Sequence, residues 1–149
     1  MLSMSIVDEM VCFSLYSATR ATTRAYAELL APWGLTYPQY LVLVVLWSEG
    51  DKSVNELGEL LQLDSGTLSP LLRRMEAKLL IERKRVHEDN RVVTIVPTEQ
   101  ASELREELGH IPMSIACATG LPDAASAREL IDTLQKLTAA MSQLGKGNS

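Results

Sequence analysis

Two cysteines, Cys12 and Cys117, carry the most reactive side chains of this chain. A thiolate can attack a peroxide oxygen and become a sulfenic acid, which a second thiol then traps as a disulfide. Such chemistry requires access and a stabilised thiolate, yet no Lys, Arg or His lies within four residues of Cys12. A lone cysteine on an apolar helix is more often a small buried hydrophobe, so both readings stand on the residues alone. No secretion signal precedes the cysteines, which points to the reducing cytoplasm and to a transient disulfide rather than a structural one. The His and Cys residues at 12, 87, 110 and 117 have no metal-ligand spacing, so no metal or other cofactor is expected.

The second chemical feature is a concentration of charge. The whole chain carries −5, but residues 73–91 carry +3 and the remainder −8. DNA responds to a local basic face more than to the total. Arg73, Arg74, Arg83 and Arg91 are the candidates for meeting it, with Lys84, Arg85 and His87 beside them. A solvated surface is the bland alternative for Arg83, Lys84 and Arg85.

The elements that must position these groups follow from capping signals and periodicity. With 149 residues, 46% hydrophobic and 22% charged, the chain fits one globular domain. No apolar run reaches the length of a membrane helix, so no membrane partner is expected. An apolar first helix spans residues 6–31, and Pro32-Trp33-Gly34 stops it. Thr36 and Gln39 form a capping box, with Pro38 in the first turn of a helix reaching Trp47. Glu49-Gly50-Asp51-Lys52 reads as a turn, and Ser53 with Glu56 forms a second box ahead of Leu57, Leu60 and Leu61. After Gln62-Leu63-Asp64, capped by Asp64 or Ser65, comes a helix with Leu68, Leu71, Leu72, Met75 and Leu79 on its apolar face. Two short helices joined by about three residues are a helix-turn-helix pattern. Ser65, Thr67, Ser69, Arg73 and Arg74 are left to face DNA, the small polar residues permitting close backbone approach. Pro70 predicts a small distortion.

Residues 80–86 and 91–96 read as two strands around a polar turn, a β-hairpin wing. Arg91 stands beside its tip, where an arginine can enter a narrow minor groove. Thr98 caps a long helix bearing Ala101, Leu104, Leu108, Ile111 and Ile115, kinked at Pro112. A last helix carries Leu130, Leu134, Leu137, Met141 and Leu144 at steps of four and three, a stripe suited to helix-on-helix packing. The predicted fold is mainly α with a small β-hairpin wing. Residues 35–97 form a winged helix-turn-helix, and residues 1–34 and 98–144 supply dimerisation helices within a single domain.

This order of elements resembles the MarR family of winged-helix regulators along nearly the whole chain. The most specific segments are Leu63-Asp64-Ser65-Gly66-Thr67-Leu68-Ser69-Pro70-Leu71-Leu72-Arg73-Arg74-Met75-Glu76 and Asp89-Asn90-Arg91, with Asp89 shaping the wing. Val11-Cys12-Phe13-Ser14-Leu15-Tyr16 and Thr36-Tyr37-Pro38-Gln39-Tyr40 are similar to the organic-hydroperoxide-resistance branch, OhrR, whose members are dimeric repressors. The resemblance implies that Cys12 senses organic hydroperoxides, that Tyr26 and Tyr37 of the partner subunit hydrogen-bond its sulfur, and that Cys117 resolves the sulfenic acid. It also implies that Asp64, Ser65, Thr67 and Arg74 read the major groove of a pseudo-palindromic operator in double-stranded DNA, with Arg91 in the minor groove. Where relatives end the recognition helix with glycine, this chain has Leu79, which in a left-handed cap would cost about 1 kcal/mol. Pro97-Thr98 replaces the usual Leu-Thr.

Two rival readings compete. One keeps the fold and senses a small aromatic ligand near Trp33, Tyr40 and Trp47. The other is a thiol peroxidase acting through Cys12 and Cys117, but no His, Arg or Thr beside Cys12 would polarise the peroxide bond.

Overall fold

The computed structural model describes residues 5–85 and 91–145. The chain forms two compact units, the first ending at Ile111 and the second beginning at Pro112.

In the first unit a 3₁₀ turn, Ile6–Glu9, precedes helix α1, Val11–Leu30. The expected helix from residue 6 therefore starts later. Met10 is extended, at φ −90° and ψ 117°, and breaks it. A continuous apolar run does not reveal such a backbone break. A 3₁₀ turn, Ala31–Trp33, prolongs α1 until Gly34 turns left-handed at φ 63°.

Helix α2, Tyr37–Glu49, begins with the expected box: Gln39 N–H donates to Thr36 Oγ1 at 3.4 Å, and Thr36 N–H donates to Gln39 Oε1 at 3.1 Å. Strand β1, Lys52–Ser53, replaces the expected turn at Lys52. Helix α3, Val54–Leu61, opens with the Ser53–Glu56 box, its two hydrogen bonds at 2.7 and 3.1 Å. Gln62 then takes a left-handed conformation, φ 54°, and Leu63 N–H closes the turn onto the Gly58 carbonyl at 2.9 Å.

Helix α4, Ser65–Ala77, is capped by Asp64, whose Oδ1 accepts from Thr67 N–H at 2.8 Å, and it continues through Pro70. Its buried face is Leu68, Leu71, Leu72 and Met75. Leu79 corrects the predicted face: it lies past the helix end at φ 58° and is 67% exposed. It fills the left-handed position that glycine usually takes. Leu79 N–H reaches the Glu76 carbonyl at 2.9 Å and Leu80 N–H the Met75 carbonyl at 3.0 Å. These are the two hydrogen bonds of a Schellman cap, with buried Leu80 and Met75 as its apolar pair.

Strands β2, Ile81–Lys84, and β3, Thr94–Pro97, pair antiparallel, and β1 joins the far side of β3 in the order β1-β3-β2. The hairpin is as expected, but its second strand begins at Thr94 rather than Arg91 and includes Pro97. Asp89 and His87 lie outside the described residues. The predicted long helix after Thr98 is instead α5, Glu99–Glu107, a 3₁₀ turn, Leu108–His110, and α6, Ile111–Ala118. Pro112 has no N–H to donate to the Leu108 carbonyl, and the α-helical ladder breaks at Leu108–His110 and restarts at Ile111 rather than merely kinking.

Helix α2 is the centre of this unit: Val42, Leu43 and Leu46 are buried on it, and it contacts α3, α4, β3 and α5, which bury Leu57, Leu72, Ile95 and Ala101. Trp47 Nε1 donates to the Ala101 carbonyl at 3.0 Å, and Trp33 Nε1 donates to Glu107 Oε2 at 2.6 Å, tying α5 down. By contrast α1 buries only Leu30, and Val11 remains 64% exposed. The second unit contains the remainder of α6 and helix α7, Ala124–Leu144, capped by Asp123. No residue of α7 is buried, and Ile131 and Leu144 are 52% and 82% exposed. No single described helix is long and apolar enough to cross a membrane.

Candidate functional site

The helix-turn-helix presents a narrow set of side chains. At 100° per residue, Gly66, Pro70, Arg73 and Ala77 fall on the side of α4 opposite its buried leucines. Three of these four have short or no side chains, so the backbone itself can approach a partner. Ser65, Thr67, Arg73 and Arg74 are exposed, whereas Ser69 is half-buried at the edge of the face. Arg73 and Arg74 make no ion pair among the described residues. The Asp64 carboxylate is already engaged by Thr67 N–H, so Asp64 serves the start of the helix first.

Arg83 makes an ion pair in the single chain. Its Nε meets Glu76 Oε2 at 3.1 Å, so it joins β2 to α4, and Lys84 meets Glu82 at 3.7 Å. Arg85 and Arg91 are exposed. The turn after α3 closes tightly on Gly58, where an added Cβ would come within 3.1 Å of the Leu63 carbonyl oxygen.

The other predicted cluster is partly assembled within one protomer. Tyr26 on α1 stacks on Tyr37 of α2, ring centroids 4.0 Å apart and planes 19° from parallel. Tyr40 lies 5.8 Å from Tyr26 as a third ring, an aromatic neighbour that the sequence reading did not attach to the pair. Burial, reinforced by the adjoining phenols of Tyr37 and Tyr40, pushes the Tyr26 hydroxyl up to about 12. Burial likewise raises Tyr40. Tyr26 therefore stays protonated and able to donate a hydrogen bond throughout the neutral range.

Cys12 is not among these rings. It is the second residue of α1, exposed, in a first turn whose N–H groups lack intrahelical acceptors and favour negative charge. The extended Met10 just before the helix creates this placement, which a helix running from residue 6 would not have. Fourteen residues separate Cys12 from Tyr26 along one helix, roughly 21 Å, so the sulfur cannot meet the stacked Tyr26 and Tyr37 of its own protomer. Cys117 is exposed in the last turn of α6.

Comparison with known proteins decides the family. The transcriptional-regulator family SarA/Rot matches residues 24–108. The chain is 46% identical over 109 residues to the organic hydroperoxide resistance transcriptional regulator of Bacillus subtilis, covering 73% of this chain and 74% of that one. The chain belongs to the SarA/Rot family of transcriptional regulators. This regulator is also 44% identical to TtmR of Methylorubrum extorquens over 131 residues, 88% of this chain and 67% of that one. Among solved structures, reduced AbfR bound to DNA matches with a TM-score of 0.74 at 31% identity, covering 88% of this chain and 91% of that one. AbfR, a protein of Staphylococcus epidermidis, has also been solved in a disulfide-formed state, which matches with a TM-score of 0.59. AbsC, a MarR-family regulator of Streptomyces coelicolor, shares the fold at a TM-score of 0.78. The family acts as DNA-binding regulators rather than enzymes, which removes the thiol-peroxidase reading.

Proposed function

We propose that this regulator is a homodimeric repressor, acting in the cytoplasm, that senses organic hydroperoxides through Cys12 and leaves its operator when oxidised. The observation that carries the proposal is the division of parts. One protomer stacks Tyr26 on Tyr37, while Cys12 sits exposed at the far end of the same helix, fourteen residues from Tyr26. A partner protomer crossing α1 brings one chain's sulfur to the other's stacked phenols. The unpartnered apolar faces of α1 and α7 support such pairing. On this reading, residues 1–34 and 98–144 dimerise, and residues 35–97 bind DNA.

In the reduced dimer the partner's phenols donate hydrogen bonds to the Cys12 sulfur. The thiolate attacks the distal peroxide oxygen, the O–O bond breaks, an alcohol leaves, and Cys12 becomes a sulfenic acid. The Cys117 thiol of the other subunit then attacks that sulfur, forming the S–S bond and releasing water. The phenol contacts are lost, the helices bearing the two winged domains shift, and half-site spacing no longer matches one turn of DNA. A hundredfold loss of occupancy requires a coupling of roughly 2.7 kcal/mol. Cellular thiols reverse the change.

On the DNA side, Asp64, Ser65, Thr67, Ser69, Arg73 and Arg74 meet the major groove of a pseudo-palindromic operator, and Arg91 the minor groove. Arg83 contributes indirectly by holding β2 to α4. The test is Cys12→Ser, which is expected to bind DNA as tightly as wild type and to stay bound after cumene hydroperoxide. Release of that variant by peroxide rejects the sensor assignment.

A further inference from the structure

The C-terminal end of α4 gathers three elements. Lys78 is the cap residue of α4, and its Nζ donates to the carbonyl of Gly34, 44 residues earlier. Gly34 terminates the 3₁₀ turn that prolongs α1. One ammonium thus stands at two helix C-termini, where cations are favoured. The next residue, the left-handed Leu79, offers its carbonyl to Thr98 Oγ1 at 2.6 Å, and Thr98 N–H donates to the Leu80 carbonyl at 3.1 Å. Thr98 is the N-cap of α5. The ends of α1 and α5 are therefore both hydrogen-bonded to the three residues that end the recognition helix.

We propose that Lys78 is a positioning residue that passes a displacement of α1 to α4. The proposal rests on the redox reading above for its signal and goes beyond it in naming the joint. Helix α1 is a 20-residue rod with Cys12 at one end and Gly34 just past the other. Helix α1 also meets the body through Tyr26, stacked on Tyr37, and through the buried Leu30, and apolar burial of this kind is non-directional. The Lys78–Gly34 hydrogen bond is charge-assisted and directional, and it joins two left-handed caps that fix the chain direction on both sides. Arg73 and Arg74 lie one turn before Lys78, so a shift at the cap moves the side chains facing DNA.

The test uses full-length wild type, Lys78→Met, which keeps the apolar stem, and Lys78→Arg, which keeps the charge. Affinity is measured by anisotropy on a duplex that wild type selects from random-sequence DNA, before and after cumene hydroperoxide, with Cys12 oxidation followed by mass spectrometry. Lys78→Met is expected to oxidise like wild type but to lose roughly three- to tenfold of the ratio between reduced and oxidised affinity, and Lys78→Arg to retain that ratio. A wild-type ratio in Lys78→Met overturns the proposal, even if both affinities fall together through the lost charge. Hydrogen exchange in the reduced protein gives a reading independent of peroxide. Faster exchange at Gly34, Leu35, Leu79 and Leu80 in Lys78→Met supports the joint, and unchanged exchange there overturns it. Should wild type oxidise at Cys12 without any change in affinity, the redox reading fails and the exchange result alone decides the joint.

Discussion

Leu68, Leu71, Leu72 and Met75 on α4 are all buried within one chain, whereas Leu130, Ile131, Met141 and Leu144 on α7 are all exposed. The two helices carry comparable apolar stripes. What differs is their burial: α4 packs on α2 and β2 within the first unit, while no residue of α7 is buried. The amino-terminal part of α1 resembles α7, and its last residue, Leu30, resembles α4. The winged-helix body thus completes its own core, and the terminal helices keep apolar surface that a second chain can cover. Burying it would be worth about 25 cal/mol for each Å² removed from water.

The same substitution made in each region should separate the two most widely. Leu72→Ala is expected to lose about 2–5 kcal/mol, because a fully buried leucine leaves a cavity. Urea unfolding should show that loss at any protein concentration. Leu130→Ala should instead act through assembly, lowering stability mainly in dilute protein. Equal, concentration-independent losses would show that α7 belongs to the folded core of one chain.

A smaller effect is expected at the DNA face. Arg74→Ala should weaken binding by about 1–3 kcal/mol and alter the salt dependence if Arg74 neutralises a phosphate. Unchanged affinity and salt slope would remove Arg74 from the interface.

At the junction between the two regions, the Tyr26 hydroxyl is pushed above its ordinary 10.0 to about 12. A folded-state value above the unfolded one means that the contribution to stability is intact below pH 10. It is lost as pH rises through about 12. Absorbance titration should show a late-ionising tyrosine that Tyr26→Phe removes, and that variant should lose stability less steeply over the same range. A wild-type titration in Tyr26→Phe would contradict the burial of this ring.

The smallest effect belongs to the body alone. Leu79→Gly should relieve the left-handed strain and stabilise the fold by up to about 1 kcal/mol, raising the melting temperature by roughly 2–4 °C. No gain would mean that the exposed Leu79 side chain has a packing role that one chain does not display.

Much of the body was legible because its signals are local. Thr36 with Gln39, and Ser53 with Glu56, announce helix starts through side-chain hydrogen bonds spanning three residues, and both are present. The recognition helix was legible from Asp64 and the spacing of its leucines. Strand β1 was not, since two residues are too short for any alternation and exist only by pairing with β3. The break at Met10 was hidden because an apolar run records side-chain character rather than backbone angles. Leu79 matched the helical spacing of core residues, but the helix had ended two residues earlier. The pairing of Tyr26 with Tyr37 came only through family likeness, and their stacking depends on how α1 crosses α2. Lys78 gave only the weak signal of a cation near a helix end.

The central claim is that one chain's Cys12 works with the other chain's residues, and mixed dimers test it most directly. Cys12→Ser protein carries only Cys117, and Cys117→Ser protein carries only Cys12. After the two are co-refolded and treated with cumene hydroperoxide, non-reducing electrophoresis with mass spectrometry should find a Cys12–Cys117 bond joining the two variants. A bond found only within single wild-type chains, and never between the variants, would contradict the account.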